Sequence, residues 1–563
     1  MAGWAQPTST GSSIIKGGSH VQTAATRRFN FSHDFKSKMC GPWVRGLKAG
    51  AAAVAAALLL ASCAVGPDFL KPAPPEDARY TKEPLTSRTA SSDAPTGRSQ
   101  RFVQGRDMPQ EWWVLFRSPA LNALIERSLN NNPSLQSAMA TLRSARQIAY
   151  AQEGKYFPLV SANFNPTYTR TPGPVTPVLN SSANPFALYT GQLEVSYTFD
   201  VWGLNRRTVE SLKALADDQR FQVEAAYLAL TSNVVVAAIN EAALRGQIDA
   251  ANELIAINTK MLVTLQTQLH AGYANRNDVA LQEAALAQVK ATLPPLRKAL
   301  QIQRDALSAL LGAYPSQEPR QTFKLADLHL PEELPVSLPS QLIEQRPDVR
   351  AAEELLHSAS AQIGVSIANM LPNFTIAANG GYTNTTLAGL FAPENLFWTV
   401  AGNATQTIFD GGILVHQLQA SKDTYNAAAW GYRGTVIGAV QNVADALRAV
   451  QNDADALRAA RDFERAAKIS LDLAERQLQA GNANILILLT AQQTYLQAVN
   501  QVVQARAARL ADTAALFTAL GGGWWNRAVP PPEKTLNVGT GEARPVVERR
   551  EGLFEIFFPP QPD

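Results

Sequence analysis

Residues able to do chemistry are few in this 563-residue chain, and their spacing does not suit catalysis. The six histidines, His20, His33, His270, His329, His357 and His416, form no i, i+4 pair and have no accompanying carboxylate pattern, so none is read as a metal ligand. No carboxylate pair, nucleophile–base arrangement or phosphate-cradling loop stands out, which argues against an enzyme and implies no cofactor. Two cysteines, Cys40 and Cys63, offer neither a disulfide framework nor zinc spacing. Cys63 nevertheless stands where a thiol can be modified. After polar, unpatterned residues 1–38, Met39 reads as the biological start; Arg45 and Lys48 form a charged n-region and Ala49 to Leu59 an apolar h-region too short to span a bilayer. Leu60-Ala61-Ser62 then places small residues directly before Cys63.

That ending resembles a bacterial lipobox. The resemblance implies that residues 39–62 are a signal peptide, that Cys63 is lipidated as the first mature residue, and that Ala64, not being an acid, suits outer-membrane sorting. Residues 63–110 come next as lipidated N-terminus and tether, rich in Pro, Ser, Thr and charge and without periodicity.

The elements that must position the anchored chain begin with Gln192 to Asp200. Leu193, Val195, Tyr197 and Phe199 alternate there with Gln192, Glu194, Ser196 and Thr198, a strand with one apolar and one polar face. Leu204 to Leu269 then contains no proline and one glycine, Gly246. About 66 residues at ~1.5 Å rise make a rod of roughly 100 Å. Along it Tyr227, Leu230, Val234, Ala237, Leu244, Ile248, Ala251, Ile255, Leu262, Leu265 and Leu269 step by three and four, with Glu241 and Asn258 as polar intrusions. Ala229, Val236, Ala243, Ala250 and Ile257 form a second seam, so the rod expects two neighbours. Such heptads alone would describe a solvent-exposed coiled coil; a strand fused to the rod's start argues against one.

The pattern occurs twice. Pro133 and Pro347 open matching helices that Pro158 and Pro372 end; Phe199-Asp200 returns as Phe409-Asp410, Gln268 to Gly272 as Gln477 to Gly481, and Leu311-Gly312 as Leu520-Gly521. The period of about 210 residues indicates an internal tandem duplication of a whole module. Residues 111–312 are repeat 1 (helix, two strands, long helix, and a return helix interrupted at Pro294-Pro295); 313–341 are a linker, 342–523 repeat 2, and 524–563 a Pro-rich, largely disordered tail. The remaining strands are Val160, Ala162, Phe164 and Tyr168 alternating with polar residues, then Phe374 to Thr383, then Trp398 to Phe409, and the second rod is Ile413 to Ala480.

Four strands per chain cannot close a barrel, and lipid tolerates no open edge, so identical chains must complete the sheet. Eight strands would fill their own interior whereas twelve leave a lumen, which predicts a trimer. The composition agrees with long packed helices: 46% of residues are hydrophobic and only 17% charged, against about 25% in soluble proteins. The net charge of +3, with no basic block interleaved with aromatics, argues against nucleic acid as a partner.

Gln345-Arg346-Pro347-Asp348-Val349-Arg350-Ala351-Ala352-Glu353, Ile363-Gly364-Val365 and Leu371-Pro372 resemble the outer-membrane efflux protein family. Cys63-Ala64-Val65-Gly66-Pro67-Asp68-Phe69 and Phe409-Asp410-Gly411-Gly412 are similar to its lipoprotein branch. The resemblance, over about residues 47–523, implies an α+β membrane protein. Four strands from each of three chains form a twelve-stranded β-barrel, continued by a twelve-helix periplasmic α-barrel. It also implies docking to a periplasmic adaptor and an inner-membrane resistance-nodulation-division transporter. On that analogy the adaptor meets the rod tips at Leu269, Ala271, Gly272, Leu478, Ala480 and Gly481. Acids usual at the closed aperture are matched by Asp278 in the first repeat, but Ile487 and Thr490 stand there in the second. The function expected is a passive exit duct for drugs or toxic small molecules in the outer membrane of a Gram-negative bacterium. The alternatives are a type I protein-secretion channel and a non-conducting structural coiled coil.

Overall fold

In the computed structural model, which describes residues 64–74, 79–84, 86–170, 185–480, 482–527, 534–536 and 543–545, the elements run in a doubled order. The first half contains β1 (Arg101–Gln104), α1 (Pro119–Asn131), α2 (Pro133–Glu153), β2 (Leu159–Thr169), β3 (Phe186–Phe199), α3 (Leu204–His270) and α4 (Arg276–Leu310). The second contains β4 (Glu333–Val336), α5 (Pro339–Gln345), α6 (Pro347–Ala368), β5 (Asn373–Asn384), β6 (Leu396–Thr405), α7 (Ile413–Gln479) and α8 (Ile485–Ala519). The rods α3 and α7 are each 67 residues long, and the return helices α4 and α8 each 35. Beyond them a short ladder pairs Lys534–Leu536 with Ala543–Pro545.

Helices pack beside the rods in a fixed order. Near the strands the sequence across the layer is α2, α3, α6, α7, and toward the far end it is α4, α3, α8, α7. The rod α3 therefore has a neighbour on each side along its whole length. Tyr227, Leu230, Val234, Ala237, Ala251 and Leu265 of its first seam are buried, while Leu244, Ile248, Ile255, Leu262 and Leu269 are half-buried. In the second seam Ala243 and Ala250 are buried and Ala229 is exposed. Among the described residues the helices packed most extensively on the rod α7 are α6 and α8.

Two apolar clusters clamp the rods. Trp112, Trp113 and Phe116, with Phe517 of α8, pack on α3 around Val234 and Ile239 midway along the rods. Met261, Leu265, Val279, Leu471, Ile485 and Leu488 form the second, near the rod ends.

Several sequence expectations change. The helix α4 runs through Pro294-Pro295 without interruption. Both prolines are exposed, so the carbonyls they leave without donors face solvent, while Val289 and Leu293 on the other face stay buried and hold the helix. Strand β3 starts at Phe186, six residues earlier than its alternation suggests, and β6 stops at Thr405, leaving Phe409 exposed beyond it. The described residues between 64 and 110 are no loose tether. β1 pairs in parallel with β4, and the fully buried Arg509 of α8 donates to the carbonyls of Thr96 (3.1 Å) and Arg98 (2.8 Å) and to Thr89 Oγ1 (3.1 Å). The interval 313–341 likewise contains β4 and the start of α5. Of the tail, Trp524–Asn526 form a helical turn whose Trp524 Nε1 donates to the Gln345 carbonyl at 2.7 Å; most of the tail beyond residue 527 lies outside the described residues.

Candidate functional site

The four long strands form one antiparallel sheet in the order β2, β3, β5, β6. Its register carries the alternation of β3 across all four. Val195 stands opposite Val160 and Ala378, and Ala378 opposite Val400; Phe199 stands opposite Phe374. Leu193 (59% exposed), Val195, Tyr197 and Phe199 share this apolar face with the exposed Trp398 (75%), and no described residue covers it. The opposite face is polar: Glu194 stands opposite Ser161 and Asn379, and Thr190 and Thr383 hydrogen-bond at 3.1 Å. An apolar face this broad, left exposed on a sheet with a polar reverse, is what a barrel wall in lipid requires. Among the described residues β2 and β6 have no partner on their outer edges.

Each rod is started by the acid of its Phe-Asp pair. Asp200 accepts from the Asn205 and Arg206 amides (2.8 and 2.9 Å), and Asp410 from those of Gly412 and Leu414 (both 2.8 Å). These bonds satisfy donors that a helix start leaves open, and the Leu414 and Gly412 amides hold the Asp410 carboxyl below the usual carboxylate range.

Cys63 lies outside the described residues, but its immediate successors are seated at this strand–rod junction. Val65 N donates to the Trp202 carbonyl at 3.0 Å; Arg207 donates to the Val65 carbonyl at 3.1 Å and pairs with Asp68 at 2.7 Å. Gly66, at φ +97, approaches Gly364 so closely that a Cβ would lie 2.4 Å from the Gly364 Cα. Two motif stretches nearly 300 residues apart in sequence thus meet because neither carries a side chain there.

At the far tips the chain reverses. Ala271 succeeds α3, Gly272 has φ +82, and Tyr273 N donates to the Gln268 carbonyl at 2.8 Å, the closing bond of a left-handed cap. The equivalent bond in the second repeat runs from Asn482 N to the Gln477 carbonyl at 2.8 Å after Ala480; Gly481 lies outside the described residues. Leu269 and Leu478 are partly buried against the terminal apolar cluster, leaving Ala271 and Gly272 exposed.

The three aperture candidates have distinct environments. Asp278 is the N3 residue of a capping box: its amide donates to Asn275 Oδ1 at 2.9 Å, and its carboxylate accepts from Asn275 N at 3.3 Å. Ile487 occupies the same N3 place on α8, where Asn484 accepts from Leu486 N at 3.1 Å and no acid replies. Within the chain Ile487 is 52% exposed, because Ile485 and Leu488 take the buried face; Thr490 is also exposed, its hydroxyl donating back to the Leu486 carbonyl at 2.8 Å.

The polar intrusions in α3 acquire partners that sequence reading missed. Glu241, wholly buried, receives Arg304 of α4 and Arg245, each at 2.8 Å, and Asn258 Oδ1 accepts from Gln282 at 2.8 Å. An acid inside an apolar seam is a visible signal for a buried partner, but nothing local identifies Arg304.

A sheet with an apolar outer face, continued by rods capped where the strands end, is the wall of an outer-membrane channel protein. The family model described as outer membrane efflux protein matches residues 124–313 and 338–522, and the chain belongs to that family. It is 29% identical over 418 residues to the pyoverdine export outer membrane protein OpmQ of Pseudomonas putida, covering 74% of this chain and 88% of the relative. To the toluene efflux pump outer membrane protein TtgC of the same species it is 28% identical over 479 residues, covering 84% and 95%. The solved outer-membrane channel OprN superposes with a TM-score of 0.73 at 25% identity, over 82% of this chain and all of that one. The protein is an efflux channel of the outer membrane extending into the periplasm.

Proposed function

We propose that three copies close into a continuous exit duct, a twelve-stranded barrel joined to twelve packed helices, through which drugs or other toxic small molecules leave passively. One observation carries this: the open edges of sheet and helix layer coincide. The edge strand β2 comes directly after α2, the outermost helix on that side, and the other edge strand β6 leads into α7, outermost on the other. An edge of β6 and α7 can therefore meet an edge of β2 and α2 on the next copy, and repetition closes a ring. The open side of α7 supports such a contact, with Trp430 69% and Ile437 59% exposed beside Gly431, Gly434 and Gly438, whose helix face no described residue approaches within 4 Å of where a Cβ would stand. The equal lengths of rods and return helices support tandem duplication as the origin of this pseudo-symmetric wall. Purified protein should migrate as a crosslinkable trimer and conduct in planar bilayers; a monomer, or a trimer without conductance, would favour the structural coiled coil.

The rod ends, farthest from the membrane, are the docking place for a periplasmic adaptor that links the duct to an inner-membrane resistance-nodulation-division transporter. Relatives named for toluene efflux and pyoverdine export support small-molecule cargo over type I protein secretion. Replacing Gly481 with Trp should leave trimer and conductance intact while abolishing adaptor crosslinking and drug resistance; unchanged resistance would remove the tips from the pump contact.

The place of Ala64 to Asp68 at the strand–rod junction supports an acyl anchor on Cys63, because lipid attached there would enter the leaflet that borders the strands. Cys63→Ser should lose acyl-chain labelling yet retain barrel assembly, since one or two acyl chains add little beside the lipid-facing strands. Labelling that persists would place the lipid elsewhere.

The gate lies one turn past the tips. Asp278 serves its capping box, so the exposed Ile487 is the residue free to line the aperture, and a ring of three would resist ions by dewetting. Ile487→Asp should supply the missing N3 acid to Asn484 and also wet the closed state, raising resting cation conductance. A variant with unaltered conductance would assign Ile487 to the wall.

A further inference from the structure

Where the strands pass into the rods, a recess of about 880 Å³ opens on the polar side of the sheet. We propose that it binds a compact carboxylate-bearing solute, with Lys155 as its cationic anchor. The proposal rests on the duct reading for its place, since the polar side then faces the lumen.

The lining is built for acceptors. Thr198, Thr375 and Asn403 stand in register across three strands, Thr198 opposite Thr375 and Thr375 opposite Asn403. Gln152 and Asn205 close the helical side, joined by a 2.7 Å hydrogen bond from Gln152 Nε2 to Asn205 Oδ1. The lining carries one carboxylate and one ammonium. Asp200 is the carboxylate in the lining, and its oxygens are committed to the Asn205 and Arg206 amides and, at 3.5 Å, to the Arg206 side chain. Lys155, also in the lining, has no ion-pair partner among the described residues. A site that offers an unpaired ammonium beside a row of hydroxyl and carboxamide groups is complemented by an anion with several oxygen acceptors.

Citrate and the uncharged polyol sorbitol distinguish charge from bulk. By calorimetry on the full chain in detergent, citrate should bind and sorbitol should not. Lys155→Gln should weaken citrate about tenfold and Lys155→Arg restore it. The unfolding temperatures of both variants should match the parent. Citrate binding unaffected by Lys155→Gln, equal binding of sorbitol, or no citrate binding by the parent protein would each overturn the proposal. In planar bilayers citrate should reduce the current of the parent protein more than that of Lys155→Gln. Citrate binding without any conductance would instead overturn the duct while leaving the recess a binding site, and conductance without citrate binding would do the reverse.

Discussion

Arg304→Met is expected to destabilise the protein by about 3 kcal/mol, because it strands a carboxylate inside the helix layer. Glu241 is wholly buried in α3, and its Oε1 accepts from Arg304 Nη1 and from Arg245 Nη2, both at 2.8 Å, while its Oε2 already has no partner. Arg304 has further duties. Its Nη2 donates to the Pro319 carbonyl at 2.6 Å and to Glu318 at 3.2 Å, so one guanidinium ties rod, return helix and the start of the linker. Arg245 is partly exposed and can hold Glu241 only from one side, which places the expected loss toward the lower end for a broken buried pair. The double variant Glu241→Met with Arg304→Met should recover much of the loss, since an apolar pair of similar volume removes the orphaned charge. Denaturant unfolding monitored by tryptophan fluorescence measures both. A single variant as stable as the parent would mean that Arg245 suffices.

Val195→Arg is expected to cost about 2 to 4 kcal/mol in membrane assembly if the residue sits near the midplane, whereas Ser196→Arg should assemble and mainly alter conductance. The two residues are neighbours on one strand, so the contrast isolates the face. Val195 stands among Val160, Ala378 and Val400 across the sheet, and Ser196 opposite Leu159 and Ala377 on the polar side. Assembly is read as heat-modifiable trimer recovered from membranes, and conductance in planar bilayers. Poor assembly of Ser196→Arg with normal assembly of Val195→Arg would invert the sheet.

Much of this architecture is local and therefore legible before folding. Alternation of Leu193, Val195, Tyr197 and Phe199 decides which side of β3 is apolar, because successive side chains of any strand point to opposite faces. Freedom from proline decides the rods, and Gly272 their end, because only glycine takes a positive φ there without strain. The motif before Cys63 likewise reads from sequence alone, because a signal of that kind would be recognised by export machinery without regard to the fold.

Periodicity names a face without naming what lies against it, and that is where sequence reasoning stops. Glu241 is visible as an acid in an apolar seam, but Arg304 becomes its partner only when α4 folds back along α3. Pro294-Pro295 reads as a break, yet burial of Val289 and Leu293 on the opposite face outweighs two missing hydrogen bonds whose carbonyls can face solvent. Asp278 reads as an aperture acid, but its bonds with Asn275 are made only as the tip turns. The largest decision is the pairing of β3 with β5, residues nearly two hundred positions apart. No local signal specifies it: packing of α3 beside α6 brings the two strands edge to edge, so the sheet's order, its open edges and its single apolar face are properties of the tertiary structure.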